Sequence, residues 1–173
     1  MRRIALAAAI ALLAALPVSA QVAPPKVGIA DLKDLPQPLP LPYDEEADAD
    51  KDLAAAMARA KASGKRVLVD LGGDWCPDCR ILAAVMDLPE VKPFLAAHFE
   101  KVVIDVGRFN KNLHIPQGFG IEKLRGVPTV LVVEPDGTLV NKTDSAELAD
   151  ARSKTPQAMV DWLARYAKPV KGS

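Results

Sequence analysis

The chain has 173 residues but only two cysteines and two histidines, and no surplus charge of either sign, with 22 basic against 22 acidic residues. No basic block is present, which argues against nucleic acid or another polyanion as partner. The one long apolar run, Ile4 to Leu16, has 13 residues, short of the roughly 20 that span a membrane. Zinc wants four ligands, and beyond Cys76 and Cys79 the chain offers only His98 and His114, without paired metal spacing. No internal repeat is found. These absences leave a near-neutral chain of single-domain length whose scarce reactive groups must carry any chemistry.

Residues 1–20 read as a secretory signal peptide. Arg2 and Arg3 form the basic start, Ile4 to Leu16 the apolar stretch, and Val18-Ser19-Ala20 a small-residue cleavage site. No cysteine follows the cut, which excludes a lipoprotein anchor. Residues 21–46 hold "APPKVG" and "LPQPLPLPY", whose prolines favour extended backbone. They read as a semi-rigid arm that either hangs free as a linker or wraps the domain. The domain itself is expected at 47–168, with a tail at 169–173.

Within the domain, "DADKDLAAAMARAKASGK" reads as a helix with Leu53, Ala56, Met57 and Ala60 on one face and Gly64 as its stop. "RVLVDL" is a short buried strand, Gly72-Gly73 a turn, and a helix starts at Cys76, carries Ile81, Leu82 and Val85 inward and breaks near Pro89. "EVKPFLAAHF" reads as a further short helix, "KVVIDV" as a second strand and "PTVLVVEPDGTLV" as a β-hairpin turning at Pro135-Asp136-Gly137. The last helix, "TPQAMVDWLARYA", has Thr155 as cap, Pro156 in its first turn and Met159, Val160, Leu163 and Tyr166 as its apolar face. This order makes an α/β domain, a mixed sheet flanked by helices.

The two cysteines stand in "LGGDWCPDCR", Leu71 to Arg80. Cys76 falls where the chain enters a helix, so unpaired N–H groups and the helix dipole favour its thiolate. Cys76 is therefore expected to be the exposed, low-pKa thiol. Cys79 follows three residues on, along the same face, within reach of a disulfide. Pro77 suits the first turn. A structural staple closing so short a loop adds little stability, so a redox pair is the better reading. Asp70 interrupts the apolar "VLVDL"; an ionisable group there is costly unless it has a task, and it is placed to take the Cys79 proton. A structural role, capping the loop or pairing with Lys101, is the competing account.

Taken together, "VDLGGDWCPDC", "KVVID" and "GVPT" resemble the thioredoxin superfamily over about residues 47–168, with the closest likeness to its secreted branch. The resemblance implies the thioredoxin fold, with Cys76 as attacking thiolate, Cys79 as resolving thiol, and Asp70 with Lys101 beside it as the acid–base pair. Trp75 would shape the docking surface, and Val127 would face the sulfurs. Pro128, with a cis bond, would offer a backbone edge to an incoming chain. The Pro-Asp dipeptide between the cysteines departs from the family's commonest Gly-Pro. Asp78 should oppose thiolate formation and tilt the pair towards a reductant. Residues 107–126 form a longer loop than in compact relatives, either a substrate-selecting lip or a plain connector. His98 and His114 read as ordinary surface or helix-end residues, and "NKT" at Asn141 matches a glycosylation acceptor pattern.

The resulting expectation is a periplasmic or secreted, monomeric thiol–disulfide oxidoreductase acting on protein disulfides, with no cofactor or metal. By family resemblance it would be recharged by a membrane electron donor. The rivals are the same fold run as oxidase or isomerase, and a copper- or zinc-binding module.

Overall fold

The computed structural model describes residues 21–169; the expected signal peptide and the tail beyond residue 169 lie outside them. Three strands form the sheet in the order β2-β1-β3. The central strand β1 is Arg66–Gly72, parallel to β2, Phe99–Asp105, and antiparallel to β3, Thr129–Val133. A strand paired on both sides and covered on both faces should be apolar nearly throughout, and "VLVDLG" is buried along its whole length. Asp70 is the exception in chemistry, not in burial.

Helices cover both faces. α1, Ala49–Ser63, starts at Asp48, whose side chain accepts from Lys51 N, and ends at Gly64 in the left-handed region, φ 75°, where glycine carries no Cβ penalty. Ala56 and Ala60 are its fully covered positions, with Leu53 and Met57 only partly covered. α2, Pro77–Met86, and α3, Val91–His98, pack with α5, Pro156–Arg165, around Leu68, Val130 and Val132. Thr155 caps α5 by accepting from Ala158 N, and Met159, Val160 and Leu163 face inward as the spacing predicts. Trp162, absent from that expectation, is equally buried, and Tyr166 is only partly covered.

The expected hairpin is replaced by something more economical in backbone. Its turn at Pro135-Asp136-Gly137 forms, but past it only Leu139 makes a bridge, to Val133. The outer edge of β3 is completed by other groups. Asn141 accepts from Val132 N at 2.8 Å through Oδ1 and donates to Val130 O at 2.8 Å through Nδ2. Val140 N donates to Val132 O, and Val130 N to Ser145 O. One amide side chain thus does the work of a strand partner, and the edge carries no open pairing groups at Val130 or Val132. Asn141 is 1% exposed, so the acceptor pattern noted in the sequence is buried structure.

The arm wraps the domain. Gln157 of α5 accepts from Val27 N and donates to Pro25 O, and Glu90 accepts from Gly28 N. Leu35 is buried among α2, α3 and α5, and Arg80 of α2 donates to the carbonyls of Leu39 and Pro40. Tyr43 ends the path, 3% exposed. Burying one such side chain is worth about 1.5–3 kcal/mol, so Leu35 and Tyr43 contribute, with the hydrogen bonds above, to offsetting the arm's loss of chain freedom. The 107–126 loop contains a short helix, α4, His114–Gly118, that periodicity did not signal.

Asn141→Ala removes both side-chain bonds to β3 and leaves Val132 N–H and Val130 C=O buried without partners. At about 1–3 kcal/mol per orphaned group, the variant is expected to lose about 2–4 kcal/mol of unfolding free energy in urea. A loss below 1 kcal/mol would show that the edge is satisfied in another way.

Candidate functional site

Cys76 is the N-cap of α2, with extended backbone (φ −92°, ψ 114°), and its Sγ accepts from Cys79 N at 3.2 Å. Its thiol donates to Val127 O at 3.4 Å, and the Val127–Pro128 bond is cis. The loop before β3 therefore lies over the cysteines, as the "GVPT" reading expected. The Cys76 thiol is less open than expected: it is 4% exposed, against 0% for Cys79.

The two thiols are driven apart in acidity. Hydrogen bonding to Cys79 brings Cys76 down to about 7, helped by the Cys79 backbone N–H and opposed by burial and the Asp78 charge. The same contact pushes Cys79 far up, reinforced by burial and by the negative charges of Cys76 and Asp70. Cys76 is the more acidic of the two, with its thiol and thiolate both present near neutral pH, and Cys79 is a thiol.

Asp70 is fully buried at the end of β1. Burial raises its carboxyl to about 6, against the Tyr43 hydrogen bond and the Lys101 charge, which pull it down. The expected contact with Lys101 does not form. Register places Lys101 opposite Leu68, one pair away on the same face, where its side chain is exposed and acts on Asp70 only across space. The contact partner is Tyr43 of the arm, whose hydroxyl donates to Asp70 Oδ1 at 2.9 Å. Asp70 Oδ2 is buried with no partner among the described residues.

Asp78 also differs from expectation. Its carboxylate is 5% exposed and held by Arg152, whose backbone N donates to Oδ1 at 2.8 Å while Nε reaches both oxygens at 3.0 Å and Nη2 bonds Oδ2. Burial works against this carboxylate, but the Arg152 bonds and charge win and keep it below its ordinary range. The charge that was expected to suppress the Cys76 thiolate is largely neutralised by a residue 74 positions away.

Around the pair, Trp75 is 38% exposed, donates to Gly107 O at 2.9 Å, and meets Phe109 edge-on at 6.2 Å with Arg108 over its ring at 4.7 Å. Phe109 continues into an apolar groove of about 460 Å³ walled by Leu113, Pro116, Ile121 and Leu124. The 107–126 loop is therefore continuous with the active centre. His114 lies outside it, bonded to Asp50, and His98 bonds Lys168 O. Among the described residues, no three of His, Cys, Asp and Glu gather where they could hold a metal ion. Of the residues expected from sequence, Cys76, Cys79, Asp70, Val127 and Pro128 converge, Trp75 borders them, and Lys101 stands back. Tyr43 and Arg152 were not signalled. Neither has a motif, and only the position of Tyr43 at the end of the proline-rich arm hinted that the arm goes somewhere.

A thioredoxin-like family model matches residues 48–135, and a 40% identical crystal structure, a disulphide isomerase from Xylella fastidiosa Temecula1, covers 73% of this chain and 96% of its own at a TM-score of 0.68. The chain belongs to the thioredoxin-like family. A further thioredoxin-like match is the oxidised C-terminal domain of Neisseria meningitidis DsbD, at 31% identity over 54% of this chain and 80% of that domain, TM-score 0.41. Comparison with curated proteins gave no match. The family match spans α1 to the turn after β3, and so takes in both cysteines, Asp70, Lys101 and Pro128 but neither Tyr43 nor Arg152.

Arg152→Ala leaves the Asp78 charge unopposed and should raise the Cys76 pKa by about one unit from its value of about 7, read as the pH dependence of alkylation of the reduced protein. An unchanged profile would mean that Asp78 does not act on the thiolate. A second expectation concerns Asp70. Because folding raises its pKa from 3.8 to about 6, the carboxyl costs nothing where it is protonated in both states, and the full cost develops as pH rises through about 6. The cost is about 3 kcal/mol at 1.36 kcal/mol per unit. Asp70→Asn should match the wild type in stability near pH 4 and exceed it by about that amount at pH 8. A difference independent of pH would mean that Asp70 does not ionise in the folded protein.

Proposed function

We propose that this protein is a thiol–disulfide oxidoreductase of the periplasm, exported by the signal-like segment at 1–20 and working in the reducing direction on protein disulfides. The observation that carries the reading is the position of Cys76, an acidic thiol at the N-cap of α2 beneath Val127 O, with Cys79 one turn on. The Cys76 thiolate attacks a substrate disulfide and releases one substrate sulfur. Cys79, losing its proton towards Asp70, attacks the Cys76 sulfur and releases the other. The substrate leaves with two reduced sulfurs, and the protein keeps a Cys76–Cys79 disulfide. A membrane electron donor would return it to the dithiol.

The reducing direction is supported by the moderate acidity of Cys76. Strong oxidants of this fold stabilise their reduced state with a thiolate of pKa about 3.5, whereas Cys76 is lowered only to about 7. Asp78 no longer supports it strongly, since Arg152 neutralises that charge. A second reading, isomerase, is favoured by the similarity to the Xylella disulphide isomerase. It uses the same first attack and differs in how readily the mixed disulfide is resolved. Trp75, Val127 and Pro128 serve both readings as the surface an extended chain would meet.

The reduction potential separates them. Equilibrated against glutathione, a reductase should lie near −270 mV, and an isomerase near −180 mV, on the general scale of this chemistry, about 30 mV per tenfold in equilibrium constant. A value above roughly −200 mV would overturn the reducing assignment. In parallel, Cys79→Ala should accumulate mixed disulfides with envelope proteins, all of them through Cys76.

A further inference from the structure

The proline-rich arm does more than cover α2: it ends inside the active centre. Arg80 holds the Leu39 and Pro40 carbonyls, at 3.0 and 3.2 Å, and Asp74 accepts from Tyr43 N at 3.1 Å. The phenol is thereby fixed from both its own backbone and the preceding residues. Its hydroxyl donates to Asp70 Oδ1 at 2.9 Å. The same hydroxyl and the Cys79 sulfur close on one point above Gly72, where a Cβ would lie 2.5 Å from Tyr43 Oη and 2.7 Å from Cys79 Sγ. A side chain at 72 would collide with both groups, so glycine leaves them room on the same side of the strand. A phenol has one proton and two lone pairs. With the proton given to Asp70, the oxygen is left free to accept from the Cys79 thiol.

We propose that Tyr43 relays the proton from Cys79 to Asp70 during resolution, an inference that rests on the thiol–disulfide reading above. As Cys79 Sγ attacks Cys76 Sγ in the mixed disulfide, the Cys79 proton moves to Tyr43 Oη while the Tyr43 proton moves to Asp70 Oδ1. The Cys76–Cys79 bond forms, the Cys76–substrate bond breaks, and the substrate sulfur leaves as a thiolate with the bonding pair. The cysteine pair is oxidised, the substrate is reduced, Asp70 holds one proton and Tyr43 is unchanged. The two transfers run together, because burial and the neighbouring Asp70 and Cys79 charges push Tyr43 well above its ordinary value and disfavour a free phenolate. Asp70, raised to about 6 by burial, is a carboxylate at neutral pH with affinity for the arriving proton. The arm is then part of the catalytic apparatus of the domain it wraps.

The test uses the mature chain as wild type, Tyr43→Phe, Asp70→Asn and the double variant, in single turnovers with a disulfide-linked model peptide. In Tyr43→Phe, mixed-disulfide formation through Cys76 is expected within about twofold of wild type, and resolution slowed about tenfold or more. The double variant should resolve no more slowly than the slower single variant, because the two groups serve one transfer. Resolution at the wild-type rate in Tyr43→Phe, or multiplicative slowing in the double variant, overturns the relay and leaves the thiol–disulfide reading standing. A wild type that forms no mixed disulfide overturns that reading, and the relay with it. If Tyr43→Phe does not fold, the wild type alone decides through its resolution rate in mixtures of light and heavy water. A bowed dependence means two protons in flight, as the relay requires; a straight line overturns it.

Discussion

A carboxyl group removed from water at the end of the central strand is the constraint around which this active centre is arranged. Asp70 sits where the sheet hands over to the cysteine loop, and burial lifts it to about 6. Its ionised form costs about 3 kcal/mol on that shift, a large fraction of what a domain of this size has to spare. The fold does not neutralise it with a direct ion pair. Lys101 contributes charge from a distance, and Tyr43 contributes one hydrogen bond, while Oδ2 is left without a partner among the described residues. A scaffold carboxylate in so dry a place would be expected to have a direct cation and both oxygens satisfied. Partial compensation is what keeps the group able to take up a proton near neutral pH.

Asp78 shows the opposite treatment, in the dipeptide between the two cysteines. It is almost as well buried, yet Arg152 engages both oxygens and its own backbone N–H adds a further bond. Its pKa goes down where that of Asp70 goes up. The two acids therefore divide the electrostatic work. Asp78 is fixed as a structural anion that ties α2 to the 310 turn at Ala151–Ser153, and Asp70 is left titratable. The identity of the neighbours, not the depth of burial, decides which acid does what.

Much of this was legible in the sequence where the governing forces are local. The helix cap at Thr155, the stop at Gly64 and the apolar run of β1 depend on residues within a turn or a strand of one another. The cysteine spacing, the lone acid in an apolar strand and the "GVPT" loop likewise pointed to one site. The side-chain partners that the sequence does not signal at the site lie far along the chain. Tyr43 reaches Asp70 across 27 positions and Arg152 reaches Asp78 across 74, and neither spacing has a periodicity to detect. Lys101 was placed beside Asp70, but strand register sets it opposite Leu68. The second arm of the hairpin fails for a related reason: the Asn141 side chain meets the edge of β3 before a strand can.

The order of acidities also explains how one site can run two attacks in sequence. In the resting dithiol, the largest influence holding the Cys79 proton in place is its hydrogen bond with Cys76, followed by burial, and the Cys76 negative charge adds to them. The hydrogen bond and the charge both fade once the Cys76 sulfur is bound to a substrate sulfur, because a disulfide sulfur carries no charge and is a poor acceptor for the Cys79 thiol. What still opposes ionisation of Cys79 is burial and the Asp70 charge, and the second of these disappears as Asp70 takes up the proton. In the proposed cycle the first attack therefore lowers the barrier to the second, and proton transfer to Asp70 would remove what is left of the electrostatic part, burial remaining. Resolution before substrate capture is suppressed by the same contact that makes Cys76 reactive. The single hydrogen bond between the thiols thus sets both which cysteine attacks first and when the other is released to follow.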